Sequence, residues 1–121
     1  MDGAGNLGIR HSAKILRIPK ILKMHMNIIY DSFQLMRSGH WREAHNLIQT
    51  DGSLMAAWLH GILHVQEGDL EDAEYWYGKS GRHFRSRGTL NEEVDAFEVE
   101  MDVEMKEIAR KHISIESIGV L

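Results

Sequence analysis

Cysteine is absent from the sequence, which excludes disulfides, thiolate metal sites and a cysteine nucleophile, and fits a reducing compartment. Proline occurs once, at Pro19, so no proline ring interrupts a helix downstream of it. Long apolar runs are missing as well. No stretch of 18 apolar residues exists, and Lys14, Arg17, Lys20 and Lys23 break every segment that would otherwise read as the apolar centre of a leader peptide. Neither a membrane-spanning helix nor a secretory leader is expected, and the expected location is cytoplasmic. Strand-like alternation bounded by turns is also lacking, apart from a short apolar tail at 113–121 that stays unassigned.

What is present suits one helical domain. The 121 residues are 43% apolar and 26% charged, which are globular values for a chain long enough to bury one modest core. The formal net charge of −4 is unevenly spread. Residues 1–30 carry five Lys/Arg against Asp2, whereas residues 91–121 carry three against nine Asp/Glu. The first residues are rich in glycine and aperiodic, so 1–19 reads as a flexible basic arm, 20–112 as the folded domain and 113–121 as a tail. Met24 and Met26 both precede better-patterned sequence, which leaves the natural start open.

Glycines divide the domain. Gly39 and Gly68 stand where a left-handed residue would end a helix, each with a new apolar-periodic run beginning just beyond. The periodicity predicts helix 1 near 21–37, helix 2 near 40–50, helix 3 over about 53–67, helix 4 over about 70–84 and helix 5 over about 91–112. Asp51-Gly52-Ser53 offers turn and N-cap chemistry, Asp69 caps helix 4, and Thr89 with Glu92 has the spacing of a capping box. Helix 5 carries Val94, Phe97, Met101, Met105 and Ile108 as one apolar stripe on an acidic rod. That stripe needs a cover, either the open end of the preceding helices or a second copy in a homodimer through helix 5.

A repeat of period 29 pairs Gly39 with Gly68, Trp41 with Leu70, Ala44 with Ala73 and Ile48 with Tyr77. Ser32 and Gly61 match in the same way, one turn upstream, where a first helix needs a small residue for a second to approach. These residues resemble the tetratricopeptide pattern over about 30–81. The resemblance implies two antiparallel helical hairpins with helix 5 as a cap. The period of 29, Ala57 where a tryptophan is usual, and the missing proline after each unit depart from that family. A closer resemblance lies in Trp58, His60, Gly61, Leu63, His64, Glu67, Gly68 and Asp69, followed by Ala73, Tyr75, Trp76 and Tyr77. That block is similar to a group of small uncharacterised proteins sharing a W-x-H-[AG]-x-L-H-x-x-E-G-D … A-x-Y-W-Y signature, and it implies no activity.

On a wheel of helix 3, Leu54, Met55, Trp58, Leu59, Ile62, Leu63 and Val65 fill one half, while His60, His64 and Glu67 line up on the other beside Ala56, Ala57 and Gly61. Two histidines at i and i+4 can chelate one metal, with Glu67 a turn further on. Such a site would need completion by His40, His45, Glu43 or Asp72. The alternative is that the histidines only hydrogen-bond across a close helix contact. Tyr75, Trp76 and Tyr77 point about 100° apart in succession, so they cannot all be buried. Tyr77 is expected inside with Ala73 and Leu70, leaving Tyr75 or Trp76 exposed as a contact residue, unless Trp76 packs under helix 5.

Two motifs carry less. Ala73 to Ser80 formally fits a permissive phosphate-loop expression, but it is Glu-Tyr-Trp-Tyr on a helix with no preceding strand, and it is rejected. Lys79, Arg82, His83, Arg85 and Arg87 with Phe84 form a basic patch capable of weak, nonspecific anion or RNA contact, with the acidic helix 5 following at once to neutralise it. No specific nucleic acid and no cofactor is indicated. The leading expectation is a protein or peptide interaction module whose contact set is Trp58, His60, His64, Glu67, Tyr75 and Trp76. The rival is a metal- or small-ligand site on His60, His64 and Glu67, the one place where enzyme chemistry has support.

Overall fold

The computed structural model describes residues 18–112, which form five α-helices and a 3-10 turn, with no strand among the described residues. In chain order these are α1 (Lys20–Arg37), α2 (Trp41–Ile48), α3 (Leu54–Glu67), α4 (Leu70–Ser80), the 3-10 turn at Phe84–Ser86, and α5 (Leu90–His112). The fold is all-α. Most of the basic arm, residues 1–17, and the tail at 113–121 lie outside the described residues.

Local chemistry sets the helix ends. Pro19 begins α1, its carbonyl accepting from the Lys23 amide at 3.0 Å. Ser53 caps α3 by accepting from the Ala56 amide at 3.1 Å, and Asp51 braces the turn before it through the Ser53 amide. The Thr89 hydroxyl and Glu92 carboxylate satisfy each other's backbone amides at 3.2 and 2.8 Å, closing the expected capping box. Helix 4 was expected to run to 84, but it stops at Ser80. Gly81 takes the left-handed conformation there, and the Arg82 amide turns back to the Tyr77 carbonyl at 3.0 Å, a Schellman-type closure.

α1 packs chiefly on α2 and α3 on α4, so the chain forms two helical hairpins, with α5 resting on α3 and α1. The stripe of α5 is covered within the chain: Val94, Phe97 and Met101 are buried, and Met105 packs at the core edge. Phe97 stacks on Phe33 of α1 at 5.6 Å and tilts against Trp58 of α3 at 5.2 Å, which joins three helices at one aromatic node. Each such ring removed from water contributes roughly 2–3 kcal/mol.

The centre of the fold is α3, where all nine residues from Ala56 to His64 are buried. The half of its wheel that carries the histidines therefore packs against neighbours and is not a solvated face. Two apolar assignments are corrected: Leu54 is 67% exposed and Leu70 48% exposed, because each sits in the first turn of its helix, beyond the edge of the hairpin.

Gly61 marks the closest approach of α4 to α3. A Cβ built at this position would lie 2.5 Å from Cδ1 and 2.9 Å from Cε1 of Tyr77. Tyr77 cannot retreat, since its ring is 1% exposed and its hydroxyl donates to Glu93 Oε1 at 2.6 Å. The same carboxylate accepts from Trp58 Nε1 at 3.3 Å and, through Oε2, from the Gly88 amide at 3.0 Å. Burial and the Glu93 carboxylate together push the Tyr77 phenol above its ordinary pKa.

A second polar tie joins three distant segments. His25 of α1 meets Asp51 through Nδ1 at 2.6 Å and Glu104 of α5 through Nε2 at 3.1 Å. Burial opposes the His25 charge, but the hydrogen bonds and charges of Asp51 and Glu104 outweigh it and raise the pKa above 6.5. Burial likewise opposes the Asp51 charge, and the bonds from Ser53 and His25 outweigh it, so this carboxyl titrates below its usual value.

Two outcomes are expected. Gly61→Ala should destabilise the fold by about 2 kcal/mol through overpacking against Tyr77. Gly78→Ala, which has open space around its Cβ position, should be neutral or stabilise by up to about 1 kcal/mol; urea titration distinguishes them. The raised pKa of His25 means that its stabilisation is complete below pH 6.5 and is lost as pH rises through the folded value. Urea midpoints should therefore fall less between about pH 6 and pH 8.5 in His25→Gln than in the parent chain.

Candidate functional site

His45 of α2 and His60 and His64 of α3 converge on one point. Of the four residues considered as completing partners for the α3 pair, His45 is the one brought into a three-histidine group, in which each residue offers a ligand atom within 4.8 Å of the others. Gly61, between the two α3 histidines in sequence, lets α4 close on α3 through Tyr77, while His45 reaches the pair from the α2 side. His60 and His64 are 5% and 7% exposed. His45 remains partly open to solvent.

The rings are ordered by one another. His60 and His64 lie parallel with centroids 5.1 Å apart, and His45 stands edge-on to both, at 4.6 and 4.8 Å. His45 Nε2 and His60 Nε2 are 2.7 Å apart, a hydrogen bond in which one ring donates N–H to the lone pair of the other. Glu67 sits behind this pair, with Oε1 3.6 Å from His45 Nδ1 and Oε2 3.9 Å from His64 Nδ1. These separations are too long for hydrogen bonds, and they leave a carboxylate beside each Nδ1. His64 Nδ1 is buried without a hydrogen-bond partner; Asp69 Oδ2 approaches it at 3.7 Å. Burial, reinforced by the neighbouring His45 and His64, lowers the His60 pKa to about 4, so this ring is neutral at physiological pH.

Trp76 covers the cluster. Its indole stacks on His60 with a centroid distance of 3.9 Å and an interplanar angle of 15°, and Tyr75 stands edge-on to it at 5.2 Å. Trp76 thus packs on α3 and not under helix 5, and it is half-buried, whereas Tyr75 is 56% exposed. Both flank a half-open groove of about 520 Å³ between α3 and α4, with His60, Ala57, Leu54, Asp51 and Lys79 among its walls. A second depression of about 360 Å³ is lined by Trp41, Arg42, His45 and Glu67.

Trp58 of the expected contact set, the other residues considered as completing a metal site, and the basic patch fall elsewhere. Trp58 is 1% exposed, held by Glu93 and by the Arg82 guanidinium 3.3 Å above its ring, so it offers no surface to a partner. His40 precedes α2 on the surface, bonded to Ser38, and Glu43 is exposed on α2. Asp72 and Asp69, both exposed, approach the buried His64 from the α4 side. The cations of the basic patch are partly engaged within the chain. Arg82 lies on Trp58, Arg87 on Phe84 at 3.8 Å, Lys79 over Tyr75 at 5.7 Å, and Arg85 near Glu74 at 3.7 Å.

Glu93 and the pairing of His25 with Asp51 and Glu104 were not visible in the sequence. Their side-chain partners lie 16 to 79 residues away and follow no helical spacing. No protein-family model, no curated protein and no solved structure matches the chain.

Removing the indole should open His60 to water. In chelator-treated protein, Trp76→Ala is expected to raise the His60 pKa from about 4 toward the ordinary 6.5, read from its imidazole proton shifts across a pH titration.

Proposed function

We propose that the chain is an interaction module that takes up a short peptide segment in the groove between α3 and α4. The carrying observation is the groove itself: about 520 Å³, floored by the stacked His60 and Trp76, with Tyr75 and Leu54 both more than half exposed at its walls. That volume lies in the range of ligand sites, and aromatic walls with a few polar groups are the usual composition of such sites. The resemblance to tetratricopeptide hairpins agrees with this reading.

The charges narrow the occupant. Lys79 stands exposed at the groove, while the Asp51 carboxylate is turned to His25 and the Ser53 amide. An apolar or aromatic side chain would lie on Trp76 and Tyr75, with an adjacent acidic group against Lys79. The contact set is thereby revised to His60, Leu54, Tyr75, Trp76 and Lys79.

The test is a titration of the isotope-labelled chain with the N-acetylated dipeptide of phenylalanine and aspartate, and with its phenylalanine–lysine counterpart. The acidic peptide should shift the amides of Ala56, Ala57, Tyr75 and Trp76 and bind about two- to fivefold more tightly, the scale of one exposed ion pair. Lys79→Glu should reverse that preference. Equal affinity for the two peptides, or shifts confined to other surfaces, would count against the groove as the binding site.

A further inference from the structure

We propose that His45, His60 and His64 form a three-imidazole site for a divalent first-row transition metal, zinc above all, with Glu67 as the carboxylate that orients two of the ligands. The site shares His60 with the peptide groove but needs no occupant there.

The donor set selects the class of ion. Three imidazoles and no sulfur suit zinc and its borderline neighbours, while a calcium or magnesium site would call for several oxygens. Three protein ligands leave a fourth position for water or an incoming ligand, as in zinc sites that are not purely structural. His45, the least buried of the three, lines the depression formed with Trp41, Arg42 and Glu67, and so offers one ligand to solvent.

The geometry is close to what coordination requires. Zinc–nitrogen bonds of about 2.0–2.1 Å in a tetrahedron place two ligand nitrogens about 3.3 Å apart. The three ligand atoms already lie within 4.8 Å of one another, and the His45 and His60 Nε2 atoms, at 2.7 Å, need to separate by only a few tenths of an ångström. Rotation of the partly exposed His45 ring supplies that movement. His60 and His64 are held by stacking on each other and by the indole of Trp76, so two of the three rings are ordered before any ion arrives and the ion has only to draw their ligand atoms in from within 4.8 Å.

Two features have no explanation in packing alone. His64 is more than nine-tenths buried, and its Nδ1 has no hydrogen-bond partner. Such a nitrogen is costly unless something at the site compensates the ring. Glu67, in turn, directs one carboxylate oxygen toward His45 Nδ1 and the other toward His64 Nδ1. At 3.6 and 3.9 Å it makes no hydrogen bond to them as it stands, and a small side-chain movement on metal binding would bring it to these distal ring nitrogens, where a carboxylate fixes the tautomer of metal-bound histidines with the lone pair facing the ion. For His45 the inward nitrogen is the Nε2 that already faces His60.

The experiment uses full-length, tag-free chain stripped with chelator, titrated with zinc chloride by calorimetry and with cobalt(II) by visible absorption. Imidazole nitrogen–proton spectra are recorded at each step. One equivalent of zinc should bind, cobalt should give the intense ligand-field bands of a tetrahedral site, and the ring resonances of His45, His60 and His64 should shift together. His45→Gln should lower zinc affinity at least a hundredfold while keeping the helical circular dichroism of the parent chain. Glu67→Gln should lower it about ten- to a hundredfold. His40→Ala and Asp72→Asn should leave it unchanged. The proposal is overturned if micromolar zinc does not bind, if the shifted rings are His25, His40 or His112, or if Asp72→Asn abolishes binding that His45→Gln leaves intact. The wild-type imidazole spectra identify the ligands even where a variant fails to fold.

Discussion

The ring of Tyr77 occupies the space that any side chain at position 61 would need, and the arrangement of this protein follows from that contact. With hydrogen alone on the Gly61 Cα, α4 lies directly against the backbone of α3. That approach sets the neighbouring Trp76 on His60 and carries the Tyr77 hydroxyl to Glu93 of α5. One small residue thus couples the second hairpin, the histidine cluster and the C-terminal helix.

Around that contact, each of two buried or half-buried carboxylates collects groups from several segments. Glu93 gathers Trp58, Tyr77 and the Gly88 amide, and so ties α5 to both helices of the second hairpin. Asp51 holds His25 of α1 and the turn before α3, and His25 reaches on to Glu104. Both networks depend on low local dielectric, where a satisfied polar group is strongly directional and an unsatisfied one is costly. The exposed pair of Arg37 and Glu98 at 2.8 Å also bridges α1 and α5, but in solvent such a pair contributes little.

The same central helix generates both candidate sites. Because α3 is enclosed along most of its length, its histidines face partners: His45 on the α2 side and Trp76 on the α4 side. Enclosure holds the imidazoles close together and keeps His60 neutral, which suits metal binding. The groove begins where α3 ceases to be covered, at its exposed first turn. Of the cations after α4, Arg82 and Arg87 each lie on a ring face and Arg85 lies near Glu74, so part of that positive charge is engaged within the chain.

Local rules were enough to read the five helices, the caps at Ser53 and Asp69, the capping box at Thr89 and Glu92, and the left-handed glycines at 39 and 68, because each depends on residues a few positions apart. The small residue at 61, the burial of Tyr77 and the shared face of His60 and His64 were legible for the same reason. The early end of α4 at Gly81 was missed because a glycine within a periodic run does not declare whether the helix continues. Tertiary structure alone decided that the histidine half of α3 is enclosed, that Trp58 belongs to the core, that His45 completes the cluster, and that Glu93 and His25 tie the helices together. Those outcomes depend on which helix faces pack and on side chains meeting 15 to 79 residues apart, a relation that periodicity along one helix does not encode.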